Sequence, residues 1–317
     1  MTRLLITGVS GLLGINLALV ASDPKKENGP FEVTGLVHSH PIHGIPFDVQ
    51  SVDLSNQHQT LQVLDKLKPD ILINCAAMTD IDKIEANPSL AAVLNTDLPS
   101  LLARECARRS IQFLHVSTDA VFDGKQGRYT EDDAPNPVNQ YARSKLAGEK
   151  AVLAEDPRAI IARVNFFGWS LNGQRSLAEW VLNNLRAKKP INGFMDVIFC
   201  PLVANQLSEL LLTMLEKQLS GIYHVASDDA ISKYDFGVKL AQQFSLDDTL
   251  IQPVSYKQAG LLAQRSPDLT LNTSKLTRVL GFPPPNISTG IRQFYELFEQ
   301  GYPQRLQSYL QVRTTVI

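Results

Sequence analysis

The chain has 317 residues, of which 44% are hydrophobic and 20% charged, the make-up of a soluble globular protein too long for one small core. Lys plus Arg number 30 against 32 Asp plus Glu, a formal net charge of −2 spread without a basic patch or like-charge block, so neither nucleic acid nor a membrane surface is an expected partner. The cysteines, Cys75, Cys106 and Cys200, lie far apart with no Cys-x-x-Cys pair or His/Cys cluster, which argues against a disulfide framework and a metal site.

The first apolar run enters a glycine turn too soon for a signal peptide. No apolar stretch approaches the roughly 18 residues of a membrane span, and the cytoplasm is the expected location. In chain order the spacing predicts a strand at Leu4–Thr7, a helix at Leu12–Ser22, a strand at Phe31–Val37, a third strand ending before Asp53, and a helix at Gln57–Leu67. Then follow a strand at Ile71–Asn74, a helix at Leu90–Arg108, a strand at Ile111–Val116, a helix at Asn139–Leu153 and a strand at Ala159–Val164. Strands alternating with helices imply crossover connections, and strands apolar throughout imply cover on both faces.

After Val164 the rhythm changes. Helices are expected at Ser176–Lys188, Gln206–Leu215, Lys233–Phe244 and Ser288–Glu299, with a strand at Gly221–Val225. Asn192–Val203 reads as irregular, Ala259–Asn272 as loop-rich, and the tail after Tyr309 as loosely ordered. The fold class is α/β, a Rossmann-type doubly wound parallel sheet with a smaller C-terminal substrate-binding lobe. The sheet domain is expected to span 1–165 plus about 202–228, and the lobe about 166–201 and 229–317.

Between the first strand and helix lies Gly8-Val9-Ser10-Gly11-Leu12-Leu13-Gly14. Gly8 permits a tight turn, Gly11 lets the backbone approach a pyrophosphate, and Gly14 lets the helix pack close to the strand. The helix N-terminus offers free N–H groups and a positive dipole end to phosphates. NAD binders usually place a carboxylate at the end of the second strand. Here that strand runs into His38-Ser39-His40, with no carboxylate before Asp48. His38 and Ser39 are therefore expected to favour a 2′-phosphate, making NADP(H) the expected cofactor. Asp53 and Leu54 are candidates for the adenine end, Asp53 being equally suited to a helix cap.

Tyr141-Ala142-Arg143-Ser144-Lys145 opens a predicted helix, so Tyr141 and Lys145 share a face. A nearby ammonium favours the phenolate, and the spacing predicts that Lys145 acidifies Tyr141 as a proton donor to a carbonyl. Upstream, Thr118 at the carboxyl end of a strand is placed to hydrogen-bond that carbonyl, ahead of Ser117.

Three segments carry a resemblance: Asn74-Cys75-Ala76-Ala77-Met78-Thr79-Asp80-Ile81-Asp82-Lys83-Ile84-Glu85, Ser117-Thr118-Asp119-Ala120-Val121-Phe122-Asp123-Gly124, and Tyr141 to Lys145. With the glycine spacing, they are similar to the dTDP-4-dehydrorhamnose reductase family of extended short-chain dehydrogenase/reductases. The likeness spans most of the first 165 residues and continues weakly at Gly221–His224 and Arg265–Pro267. It implies NADPH reduction of a 4-keto nucleotide sugar, with Thr118, Tyr141 and Lys145 as the catalytic set. It also implies cofactor contacts from Ser10, Leu12, Leu13, Cys75, Ala76 and Ala77, and a structural or water-holding role for Asn95. Met78, Thr79, Asp119, Ala120, Asn165 and Trp180 are expected at the substrate; Met78 and Ala120 stand where the family usually has Tyr. Trp169 and Trp180 each admit base stacking or core packing.

The substrate is thus a small molecule, a nucleotide sugar, and a homodimer is an open possibility. Asp119 is followed by Ala120, so dehydratase elimination lacks its base, and no cysteine between Thr118 and Tyr141 serves the proton exchange of epimerase-reductases. The resemblance extends to the regulatory β subunits of methionine adenosyltransferase, which leaves a cofactor-binding subunit without turnover as an alternative. A redox-neutral nucleotide-sugar epimerase is a third.

Overall fold

Strands apolar on both faces must be covered from two sides, and the computed structural model of the chain, which describes residues 1–25, 31–38, 41–258 and 266–311, has that cover. The first half gives β1 (Arg3–Thr7), α1 (Leu12–Ala21), β2 (Glu32–Val37), β3 (Asp48–Ser51), α2 (Gln57–Leu67), β4 (Ile71–Asn74), α3 (Ile81–Ala86) and α4 (Ser89–Ala92). A π turn (Val93–Asp97) joins α4 to α5 (Leu98–Arg109), followed by β5 (Gln112–Thr118), α6 (Gln140–Glu155) and β6 (Ile160–Val164). The second half gives β7 (Phe166–Phe167), α7 (Leu177–Arg186), β8 (Ile191–Phe194), β9 (Ile198–Phe199), β10 (Leu202–Val203), α8 (Ala204–Glu216) and β11 (Gly221–Val225). It closes with β12 (Ile231–Ser232), α9 (Lys233–Gln243), β13 (Ile251–Val254), α10 (Ser274–Leu280), α11 (Ile287–Glu299) and α12 (Tyr302–Ser308).

Seven parallel strands pair in the order β11-β6-β5-β4-β1-β2-β3. Alternation along β1 sends Leu4 and Ile6 into one core with α1 and α8, and Leu5 into the other with Val63 and Leu64 of α2, Leu102 of α5 and Val152 of α6. Each such side chain contributes about 1.5–3 kcal/mol on full burial. The chain order reverses direction at β1 and β4, which opens a crevice at their carboxyl ends, the usual ligand edge of such sheets.

The C-terminal helices extend the first core. Trp169 stacks on Phe294 with ring centroids 4.0 Å apart, so this tryptophan is core. Tyr302 of α12 donates its hydroxyl to Asn16 Oδ1 of α1 at 2.8 Å.

Three sequence readings need correction. Asn192–Val203 is not irregular: β8 pairs with β13, β9 with β12 and β10 with β7. Strands of two to four residues with partners distant in sequence leave no periodic signal. The helix expected at Leu90–Arg108 begins at Ser89 and is interrupted by the π turn, whose extra residue no hydrophobic spacing announces. The short helices α3, α10 and α12 were not anticipated at all, each having too few turns for a pattern. Residues 259–265 of the loop-rich reading, with Arg265, and 312–317 of the tail lie outside the described residues. No helix among the described residues is long and apolar enough to cross a membrane.

Candidate active site

The turn after β1 is shaped by what cannot fit there. Gly8 adopts φ +66°, and an added Cβ would lie 2.8 Å from the Ala76 backbone. A Cβ on Gly14 would lie 2.4 Å from the Gly8 carbonyl oxygen and 2.8 Å from Val9 Cα. Ser10 completes the turn, and Gly11 caps α1 without a side-chain hydrogen bond. The N–H groups of Leu12, Leu13 and Gly14 therefore have no partner within the helix and sit at its positive dipole end. They border a cavity of about 320 Å³ that also reaches Cys75, Ala77, Thr79, Tyr141 and Lys145. Backbone donors at a helix N-terminus, beside a turn closed to side chains, fit a dinucleotide diphosphate. A Gly14→Ala variant is expected to lose about 1–3 kcal/mol of stability through overpacking, read as a lower denaturant midpoint at unchanged m-value.

At the end of β2 the picture differs from the linear reading. β3 pairs in register with β2, Val37 opposite Ser51, and this brings Asp53 Oδ1 to 3.9 Å from His38 Nε2. The chain has no early carboxylate after β2, but sheet pairing returns one to the same place. Asp53 accepts from the Ser55 amide at 2.9 Å and the Ser55 hydroxyl at 2.6 Å, and these bonds hold its carboxyl below the usual range. The cap of α2 is Asn56, not Asp53. Leu54 packs against the second core. Ser39 lies outside the described residues.

Asn139 caps α6 by accepting from the Ala142 amide at 2.9 Å, which places Tyr141 and Lys145 one turn apart on the cavity wall. Lys145 Nζ donates to the Val116 carbonyl at 2.8 Å and lies 3.3 Å from His115 Nε2. Burial pulls Lys145 down to about 8, against the opposing pull of Glu149 and Cys75. Burial pushes Tyr141 up to about 12; a hydrogen bond with Thr118 pulls it down and the Asp119 carboxylate pushes it up. Lys145 thus stands on the same cavity wall as Tyr141, and its acidification of the phenol, expected from helical spacing, remains a proposal. The ammonium is turned toward β5, and the groups acting on the phenol are Thr118 and Asp119.

Those two belong to a buried cluster. Thr118 donates to Asp119 Oδ1 at 3.0 Å and accepts from the Ala120 amide at 3.2 Å, while the Asn165 amide donates to Asp119 Oδ2. Burial raises Asp119 to about 6, with the Asn165 and Thr118 bonds opposing. Ser117, by contrast, donates to Glu149 at 2.5 Å, and Glu149 is paired with the buried Arg163 at 2.8 Å.

The segment after β4 is tied to α6 by Asn95, which sits in the π turn, a feature frequent at functional sites. Its Oδ1 accepts from the Met78 amide at 2.8 Å, and its Nδ2 donates to the Met78 carbonyl at 2.9 Å and the Ser144 hydroxyl at 3.0 Å. The π turn approaches α6 so closely that a Cβ on Gly148 would fall 2.1 Å from the Asn95 carbonyl oxygen. The Ala76 amide is bound to Thr7 Oγ1 and Asn74 Oδ1, both at 3.2 Å.

Trp180 is not beside Tyr141. It is 44% exposed and lines a neighbouring cavity of about 510 Å³ with Asn184, Phe194 and Lys233; Leu177 borders both cavities. Phe166, Arg175 and Ser176 line the Tyr141 cavity and were missed from the sequence. One signal was available: Ser176 and Glu179 form a capping box at the start of α7. Glu179 also accepts from the Ser170 amide at 2.6 Å and the Arg175 amide at 2.9 Å, which fixes the loop that carries Arg175 to the cavity.

Comparison with known proteins agrees with this geometry. The model of a family described as RmlD substrate binding domain matches residues 1–300. A probable low-salt glycan biosynthesis reductase, Agl14, of Haloferax volcanii is 35% identical over 89% of this chain and 93% of its own length. The methionine adenosyltransferase 2 subunit beta of Bos taurus is 28% identical over 86% of this chain and 81% of its own. A crystal structure of dTDP-4-dehydrorhamnose reductase from Bacillus anthracis in complex with NADP superposes with a TM-score of 0.82 at 25% identity, covering 93% of this chain and 99% of that one.

Proposed function

Since the chain belongs to the family of the RmlD substrate binding domain, an extended short-chain dehydrogenase/reductase, we propose that it is an NADPH-dependent reductase of a 4-keto nucleotide sugar. One observation carries the reading: the uncapped N-terminus of α1, behind its glycine turn, shares a single cavity with Tyr141 and Lys145. The NADP-bound Bacillus anthracis relative supports NADP(H) as cofactor. Gly11, Leu12, Leu13 and Gly14 would hold the diphosphate, and bound NADPH would supply the hydride.

The chain's own part is to place and protonate the ketone. Thr118 orients the Tyr141 hydroxyl, and Tyr141 gives its proton to the ketone oxygen as charge develops there. The neighbouring cavity at Trp180, joined through Leu177, is of a size to take the nucleotide end, with the lobe of about 166–201 and 229–317 closing over the substrate. Loss of NADPH absorbance, mole for mole with a nucleotide 4-keto sugar, tests the reading. No turnover across a panel of such sugars would defeat it.

Cofactor choice follows from the end of β2. NADPH is expected to bind at least several-fold more tightly than NADH, and Asp53→Asn to widen the gap by removing a carboxylate from beside His38. Equal affinities by fluorescence titration would contradict this. The bovine relative favours a second reading, a cofactor-holding regulatory subunit; stoichiometric recovery of a catalytic partner, together with an inactive sugar panel, would select it.

A further inference from the structure

Four buried polar side chains cross the sheet in a line: Thr7 on β1, Asn74 on β4, His115 on β5 and Lys145 on α6. The Thr7 hydroxyl donates to Asn74 Oδ1 at 2.5 Å, and the Ala76 amide donates to the same oxygen at 3.2 Å. Two donors on one oxygen fix the orientation of the amide. Its NH₂ is then the group 3.0 Å from His115 Nδ1. An amide NH₂ only donates, so Nδ1 accepts, and a neutral ring carries its proton on Nε2. The ring is neutral, because burial first and Lys145 second hold its pKa well below the ordinary value.

Nε2 is also the atom 3.3 Å from Lys145 Nζ. We infer that His115 is a positioning residue for Lys145, its tautomer fixed by Asn74 and Thr7 so that an N–H, not a lone pair, faces the lysine. An ammonium has three donors and no acceptor, so this contact sets donor against donor. The neutral amine has a lone pair and relieves the conflict. The histidine therefore loosens the lysine proton, while the Val116 carbonyl, 2.8 Å from Nζ, holds the side chain in place. The other titratable groups around Nζ are Cys75, from the turn after β4, and Glu149, one turn along α6; both favour the ammonium. The Asn95 carbonyl, from the π turn, faces Gly148 on α6 and carries no charge. The result is a proton that is readily given up, one helical turn from the phenol that must regain one after each turnover.

The role in turnover rests on the reductase reading, but the tautomer does not, and it is measured without substrate. Nitrogen-15 NMR of histidine-labelled full-length protein at neutral pH is expected to show one ring, identified by its change in a Lys145→Met variant, that is neutral with Nε2 protonated and Nδ1 bare. A ring protonated on Nδ1, or an imidazolium, overturns the inference. Asn74→Asp supplies an acceptor for Nδ1–H and should reverse the tautomer, turning the Nε2 lone pair to the ammonium. The alkaline limb of the kcat/KM profile should then move up by about one pH unit, and an unmoved limb overturns the coupling. Should that variant not fold, the wild-type spectrum decides alone.

Discussion

A Tyr141→Phe variant is expected to lose about 10²- to 10⁴-fold in kcat, with NADPH affinity changed by less than about threefold, since the ring and its packing are kept. On the proposed function the phenol is the proton donor to the ketone. Without it the developing alkoxide keeps only the Thr118 hydroxyl, which is already engaged with Asp119 at 3.0 Å. The high pKa of Tyr141, about 12, keeps the phenol protonated throughout the neutral range, so the group is ready to donate at any physiological pH. Decline of the reductive reaction with rising pH is therefore expected to follow Lys145, at about 8, and not the tyrosine. Single-turnover mixing of the variant with NADPH and keto sugar separates the chemical step from binding. Turnover within tenfold of wild type would remove Tyr141 from its assigned role.

The parts that sequence spacing could reach, and those it could not, differ for physical reasons. The central strands were legible because strands covered on both faces read as near-continuous apolar runs; β4 and α2 emerged with the bounds the spacing gave, Ile71–Asn74 and Gln57–Leu67. The glycine turn was legible because its conformation and its contacts both exclude a side chain. Tyr141 and Lys145 were legible as a pair because one helix fixes their relation. Contacts that depend on sheet register were not. Asp53 reaches His38 only because β3 pairs with β2. His115 looks like a polar interruption in an apolar strand until Asn74 is placed opposite it across β4 and β5. Helical spacing likewise predicts nearness of Lys145 to Tyr141, but the bond from its ammonium to the Val116 carbonyl, on another element, leaves no mark in the spacing.

Lys145→Met is expected to lower kcat by about 10²- to 10³-fold and, at neutral pH, to stabilise the fold by about 1–3 kcal/mol. Lys145 is buried, and its pKa stands at about 8 in the folded protein against a reference of 10.5. Between those values the unfolded chain binds more protons than the folded one, so the wild-type fold gains stability as pH rises through that window. Below about 8 the burden of the buried ammonium is fully present, on the order of 3 kcal/mol. Methionine has similar length and no charge, and it removes this burden while leaving the Val116 carbonyl without its donor, which returns about 1 kcal/mol. The stability gap between the two proteins should therefore be widest at neutral pH and close as pH rises toward 10.5. Urea unfolding at several pH values reads it directly. A methionine variant less stable than wild type at neutral pH, or a gap independent of pH, would mean that the lysine is comfortably charged where it lies. The donor-against-donor contact with His115 would then have no energetic consequence.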